Sequence, residues 1–156
     1  MHRLWMAGFA LLVIAAGCGG SHHSATQRQA SAPPPRPGDA KVIRGWNSAE
    51  NAGDYERAAS YFATHAVVTQ DYVLQFPNHE IAVEWNSGLP CRADITFIRR
   101  ERATTLAGFH LRQGPHGACQ GGGSAQVRFT IRNGLIQRWQ QLLNPPPNQQ
   151  PSVPAT

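Results

Sequence analysis

Three thiols are the most reactive side chains here: Cys18, Cys91 and Cys119. A thiol can serve as nucleophile, metal ligand or half of a disulfide, and its neighbours decide which. Nucleophilic chemistry needs a histidine oriented by a third group. No Ser-His-Asp or Cys-His set stands out around His65, His79, His110 or His116. Structural zinc asks for four ligands, and two downstream thiols without ligand-spaced histidines supply too few. His22 and His23 lie in a polar, proline-rich stretch and read as solvated. No metal or other cofactor is expected. In an oxidising compartment Cys91 and Cys119 have only each other, and two buried free thiols are the alternative. A bridge closing 28 residues would stabilise the fold by roughly 3–4 kcal/mol in the chain-entropy model.

The start of the chain bears on the compartment. Met1-His2-Arg3 is basic, and Leu4 to Ala16 is an apolar run of 13 residues interrupted only by Gly8. A membrane-spanning helix needs roughly 20 residues, so the run reads as a secretory leader. Ala15-Ala16-Gly17-Cys18 resembles the lipobox of bacterial lipoproteins, with Ala15 in place of the usual leucine. That resemblance implies cleavage after residue 17 and acylation (palmitate or a similar chain) of Cys18, making it a lipid attachment site; more than one acyl chain is needed to hold stably. The alternative is an ordinary signal peptide that leaves a free thiol. Either way the mature chain is exported, anchored in the first case to the extracytoplasmic face of a bacterial membrane.

The chain of 156 residues carries a formal net charge of +5, unevenly placed. Asp39 to Pro90 holds seven acidic and three basic side chains; Cys91 to Leu143 holds eight basic and two acidic. Export makes nucleic acid a poor partner. The basic half suits an anionic membrane surface or wall polymer, with a solvated sheet face as the plainer reading.

Residues 18–37 are rich in Ser, Gln, Ala and Pro and cannot bury enough apolar surface to fold, so they read as a disordered tether. Residues 144–156, with Pro145-Pro146-Pro147, read as a similar tail. The folded unit is 38–143. Asp39 is expected to cap a first helix presenting Val42, Ile43, Trp46 and Ala49. Gly53 ends it. Asp54 caps a short second helix with Ala58, Ala59 and Phe62 on one side. Ala66 to Gln70 and Tyr72 to Phe76 are short strands. Asn78 caps a third helix with Ile81, Ala82 and Trp85 inward. Beyond Pro90 the period falls to 2: Ile95 and Phe97 alternate with polar residues until Ile98 breaks the pattern. Thr105, Ala107, Phe109 and Leu111 share one face of the next strand, with His110 and Arg112 on the other. Ala125, Val127, Phe129 and Ile131 share one face of another strand, and Asn133-Gly134 turns the chain into the last one. Helices segregated from consecutive strands give an α+β class, with a strongly curved, largely antiparallel (mixed) sheet packed on three N-terminal helices.

The stretch "WNSAENAGDYERAASYFATHAVV" (Trp46 to Val68) and the closing "VRFTIRNGLIQRWQQL" (Val127 to Leu142) resemble the nuclear transport factor 2-like superfamily, in particular its SnoaL-like members. The resemblance implies a cone, closed by helices at one end and open to a pocket at the other, and its sheets often pair into homodimers. Some members are isomerases, cyclases or epoxide hydrolases, and many are binding modules, so fold alone does not decide function. The isomerase base is an aspartate at the end of the first strand. That place falls at about Gln70, which cannot act as a base. Asp71, one residue on, points to the opposite strand face unless a turn redirects it; it remains a candidate base, with a turn residue as the alternative. The second-last strand, "AQVRFTIR", has no carboxylate, and Asp94 and Glu101 read as solvated ion-pair residues. Trp46, Tyr61, Tyr72, Trp85 and Trp139 could line a pocket for a small apolar ligand, or be core. These observations lean towards a non-catalytic ligand-binding or protein-interaction module of the cell envelope. The alternative is an isomerase- or cyclase-type enzyme acting on a small carbonyl compound with Asp71 as base.

Overall fold

A computed structural model describes residues 33–114, 119 and 123–143. The leader, Cys18, the tether up to residue 32, His116 and the proline-rich tail lie outside the described residues. The elements run α1 (Pro37–Ala52), α2 (Tyr55–Ala59), β1 (Phe62–Thr69), β2 (Val73–Gln75), α3 (His79–Ser87), β3 (Cys91–Glu101), β4 (Thr104–Gln113), β5 (Gly123–Arg132) and β6 (Leu135–Leu142).

Helix ends follow local chemistry, with one correction. Asp39 is not the cap of α1. Pro37 starts the helix, where a missing N–H costs nothing and φ is already helical, and Arg36 precedes it without a side-chain cap. Asp39 sits within the first turn, buried, and accepts a hydrogen bond from Thr105 Oγ1 at 2.6 Å. Gly53 ends α1 at φ 73°, with Gly53 N–H on Glu50 O and Asp54 N–H on Ala49 O, a Schellman closure. Asp54 accepts from Arg57 N–H and Asn78 from Ile81 N–H, the capping bonds expected of both.

The six strands form one mixed sheet in the order β2-β1-β6-β5-β4-β3, parallel only between β1 and β6. Phe62 belongs to β1 rather than to the second helix, and Tyr72 precedes β2 instead of starting it. β1 is irregular between Phe62 and Val67, with His65 at φ 63°. Asn133 and Gly134, at φ 53° and 76°, make the tight β5–β6 turn. The break in alternation at Ile98 has a structural cause. β3 pairs Ile95 with Phe109 and then Phe97 with Gly108, leaving Thr96 as an extra residue. This bulge shifts parity by one, so Ala93, Ile95 and Ile98 pack on the core while Phe97 does not.

The core lies between the helices and the inner sheet face. Trp46 meets Phe62, Phe109, Phe129 and Trp139 edge-on at centroid distances of 5.8–6.4 Å, geometry that suits the ring quadrupoles. A disulfide joins Cys91 to Cys119, with Cα atoms 5.5 Å apart, within the normal span. It ties the start of β3 to the connection leaving β4. Changing both cysteines to serine is expected to lower unfolding free energy by about 3 kcal/mol, read as a lower urea midpoint. An unchanged midpoint would show that the bridge contributes nothing.

Candidate ligand cavity

Trp46 and Trp139 open onto a cavity of about 200 Å³ at the β1 C-terminal end of the core. Its walls come from several elements. β4 supplies Phe109 and Leu111, β5 supplies Ala125 and Val127, and β3 supplies Cys91 and Ala93. The α3–β3 connection adds Leu89 and Pro90, and Gln70 and Gln141 are its polar groups. The sheet places these residues by alternation. Trp139 and Gln141 lie two apart on β6 and face the same way, as do Ala125 and Val127 on β5.

Two side chains of α1 fix the β3 wall. Asn51 Nδ2 donates to Ala93 O at 2.8 Å and its Oδ1 accepts from Ala93 N–H at 2.9 Å. Asn47 Nδ2 donates to the same carbonyl at 3.0 Å. β3 is an edge strand, and these amides satisfy backbone groups that an edge otherwise leaves open. The two cavity tryptophans differ in one respect. Trp46 Nε1–H donates to Asn86 Oδ1 at 2.9 Å, whereas Trp139, 4% exposed, has an Nε1–H without a partner among the described residues. An unpaired buried donor costs on the order of 1–3 kcal/mol.

The remaining sequence candidates fall elsewhere. Tyr72 and Trp85 line a second, open groove of about 550 Å³ between α3 and the β1–β2 hairpin, which shares Gln70 and Leu89 with the first cavity. Tyr61 lies outside both linings, its ring against Gly45 of α1. Asp71 is exposed in the β1–β2 turn and lines neither space; Gln70 lines both. Asp94 and Glu101 pair with Arg112 and Arg128 at 2.6 and 2.7 Å. His110 is exposed, and His79 bonds Glu56 at 3.0 Å. Among the described residues no group of three or more His, Cys, Asp or Glu could hold a metal ion. Among the described residues the first cavity's lining contains no ionisable side chain apart from the bridged Cys91.

Sequence reasoning passed over Gln141 and Glu50. Period-2 spacing from Trp139 marks Gln141. For Glu50 the signal is its place one helical turn beyond Trp46 on α1. Burial pushes the Glu50 carboxyl up from 4.5 to about 8, and its Oε1 has no partner among the described residues.

No family model matches the chain, and no curated protein does. Its likeness is to solved structures. A putative ketosteroid isomerase from Kribbella flavida superposes with a TM-score of 0.56 at 15% identity, covering 76% of this chain and 91% of that one. A putative polyketide cyclase from Sinorhizobium meliloti gives 0.53 at 17%, covering 65% and 94%. An NTF2-like protein of unknown function from Cytophaga hutchinsonii gives 0.56 at 10%, covering 70% and 92%. The chain therefore has the NTF2-like α+β fold, a curved mixed sheet with three helices, as the two sequence stretches implied.

Glu50 predicts how stability depends on pH. The folded state keeps a proton that the unfolded state releases above about 4.5. Stability should therefore fall as pH rises from about 4.5 to about 8, at no more than about 1.4 kcal/mol per pH unit from this group. Glu50→Gln is expected to remove that component from urea midpoints measured across the window. A slope equally steep in the variant would exclude Glu50 as its source.

Proposed function

We propose that the chain is a membrane-anchored, extracytoplasmic lipoprotein whose NTF2-like domain holds a small, neutral, largely apolar ligand bearing a hydrogen-bond acceptor. The observation that carries the ligand reading is the unpaired Trp139 indole N–H on a residue lining an otherwise apolar cavity. A carbonyl or ether oxygen would satisfy that donor, and Gln70 and Gln141 offer further amide groups. Among the described residues the lining carries no charge, which disfavours an ionised ligand, whose desolvation would go uncompensated. At about 200 Å³ the space is below the roughly 300–1,000 Å³ of drug-sized sites, so the ligand is compact. The neighbours described as a putative ketosteroid isomerase and a putative polyketide cyclase are consistent with a cavity for small carbonyl compounds.

The alternative is an isomerase- or cyclase-type enzyme with Asp71 as base. It draws support from those same descriptions, but Asp71 lies outside both linings. A protein-interaction role in place of small-ligand binding would use the surface and leave the cavity empty. The lipid anchor rests on the Ala15-Ala16-Gly17-Cys18 pattern. A homodimer follows from the resemblance alone.

The ligand reading is tested with acetophenone and its alkene isostere α-methylstyrene, titrated against tryptophan fluorescence. A net hydrogen bond worth about 0.5–1.5 kcal/mol should favour the ketone by about three- to tenfold, and Trp139→Phe should abolish the preference. Equal affinities in the unmodified chain would refute the donor's role. The anchor is tested by Cys18→Ser expressed in a bacterium that processes lipoproteins. A labelled fatty acid fed to the cells should mark the unmodified chain and not the variant, and an unmodified chain that takes up no label would overturn lipidation.

A further inference from the structure

The sheet face turned away from the core is basic. Strand register sets Arg92 beside Arg112, and Arg99 and Arg128 on either side of Leu106. Arg138 lies beside Thr130, and Arg132 stands at the hairpin end. Two acidic side chains share this face, and both are engaged: Asp94 with Arg112, and Glu101 with Arg128. The Arg99 guanidinium stacks 4.9 Å from the Phe97 ring centroid. Phe97 itself occupies the space that Gly108 leaves by lacking a Cβ. Arg92, Arg132 and Arg138 are exposed and form no ion pair among the described residues. The part of the chain that carries the helices has the opposite sign: leaving aside the buried Asp39 and the protonated Glu50, five exposed acidic side chains face three basic ones between residues 39 and 90. The cations of the sheet face are all arginines, whose planar fork matches phosphate oxygens.

We infer that this face docks on an anionic phospholipid surface, with Arg92, Arg132 and Arg138 meeting headgroup phosphates while the acidic helical side faces away. Charge complementarity carries the inference: the face is net positive, its acidic residues are already paired, and the opposite side would be repelled. The choice of a bilayer over another polyanion rests on the envelope address proposed above. The docking surface nevertheless stands or falls independently of the anchor.

The experiment uses the full-length chain carrying Cys18→Ser, so that no acyl chain can mask the difference. Sedimentation measures its binding to phosphatidylcholine vesicles and to vesicles of phosphatidylcholine and phosphatidylglycerol in equal parts. The apolar leader contributes to both. The expected result is a clear preference for the anionic vesicles that fades as salt is raised. Replacing Arg92, Arg132 and Arg138 together with glutamine should reduce partitioning to anionic vesicles by about a hundredfold. The matching lysine variant should retain most of it, and glutamine at Lys41, Arg44 and Arg57 should leave it unchanged. Equal binding to both vesicles would overturn the proposal, as would an equal loss from the helical-side variant. So would binding to soluble heparin without binding to anionic vesicles.

Discussion

Trp46 is the contact around which the core is assembled. It projects from the middle of α1 into a ring of four aromatics drawn from β1, β4, β5 and β6. Its one polar atom is held by Asn86 of α3, a fully buried amide that in turn donates to Ala82 O. One residue of α1 is therefore tied to α3 by a hydrogen bond and to four strands by ring packing. A phenylalanine there would keep much of the packing but strand the Asn86 carbonyl. The aromatic network continues through Trp85, Phe62 and Phe76, so helix α3 is seated by the same rings that close the sheet.

Against this satisfied core, the polar irregularities stand out. Trp139 packs on both Trp46 and Trp85 yet keeps an unpaired N–H, while Glu50 keeps an unpaired carboxyl oxygen and a raised pKa. Their consequences differ. Trp139 borders a cavity, so its unsatisfied donor is the group on which the proposed ligand reading turns. Glu50 is not part of that lining, and burial acts on it through protonation, making it a determinant of stability.

Much of this organisation was legible in the sequence, for identifiable reasons. The α+β order followed from the change of period after Pro90, and the β5–β6 hairpin from Asn133-Gly134, whose positive φ values few other pairs accept. Asp54 and Asn78 were readable caps because capping is local. Asp39 misled because the same residue type serves equally well in the first turn, where Thr105, distant in sequence, gives it a partner. The Thr96 bulge was visible only as a failure of alternation at Ile98. Which aromatics border a cavity and which are simply packed depends on how closely strands and helices approach, and that is a tertiary quantity. The clasp of Asn47 and Asn51 on Ala93 gives no sequence signal, since polar residues on a helix more often face water.

The bulge in β3 connects the two faces of the sheet. Without an extra residue at Thr96, strict alternation from Ala93 and Ile95 would bring Phe97 and Arg99 onto the core side and send Ile98 outward. The shift in parity puts Ile98 on the core and releases Phe97 to pack over Gly108. There its ring supports Arg99. A single inserted residue therefore does two things at once. It keeps a charge out of the apolar interior, where it would have no partner, and it adds an arginine to the outer face. The cavity wall formed by Ala93 lies before the bulge and the arginine-bearing end of β3 after it. The parity of the strand is thus set separately for its two tasks, and the strand's edge can be held by α1 while its far end carries charge outward.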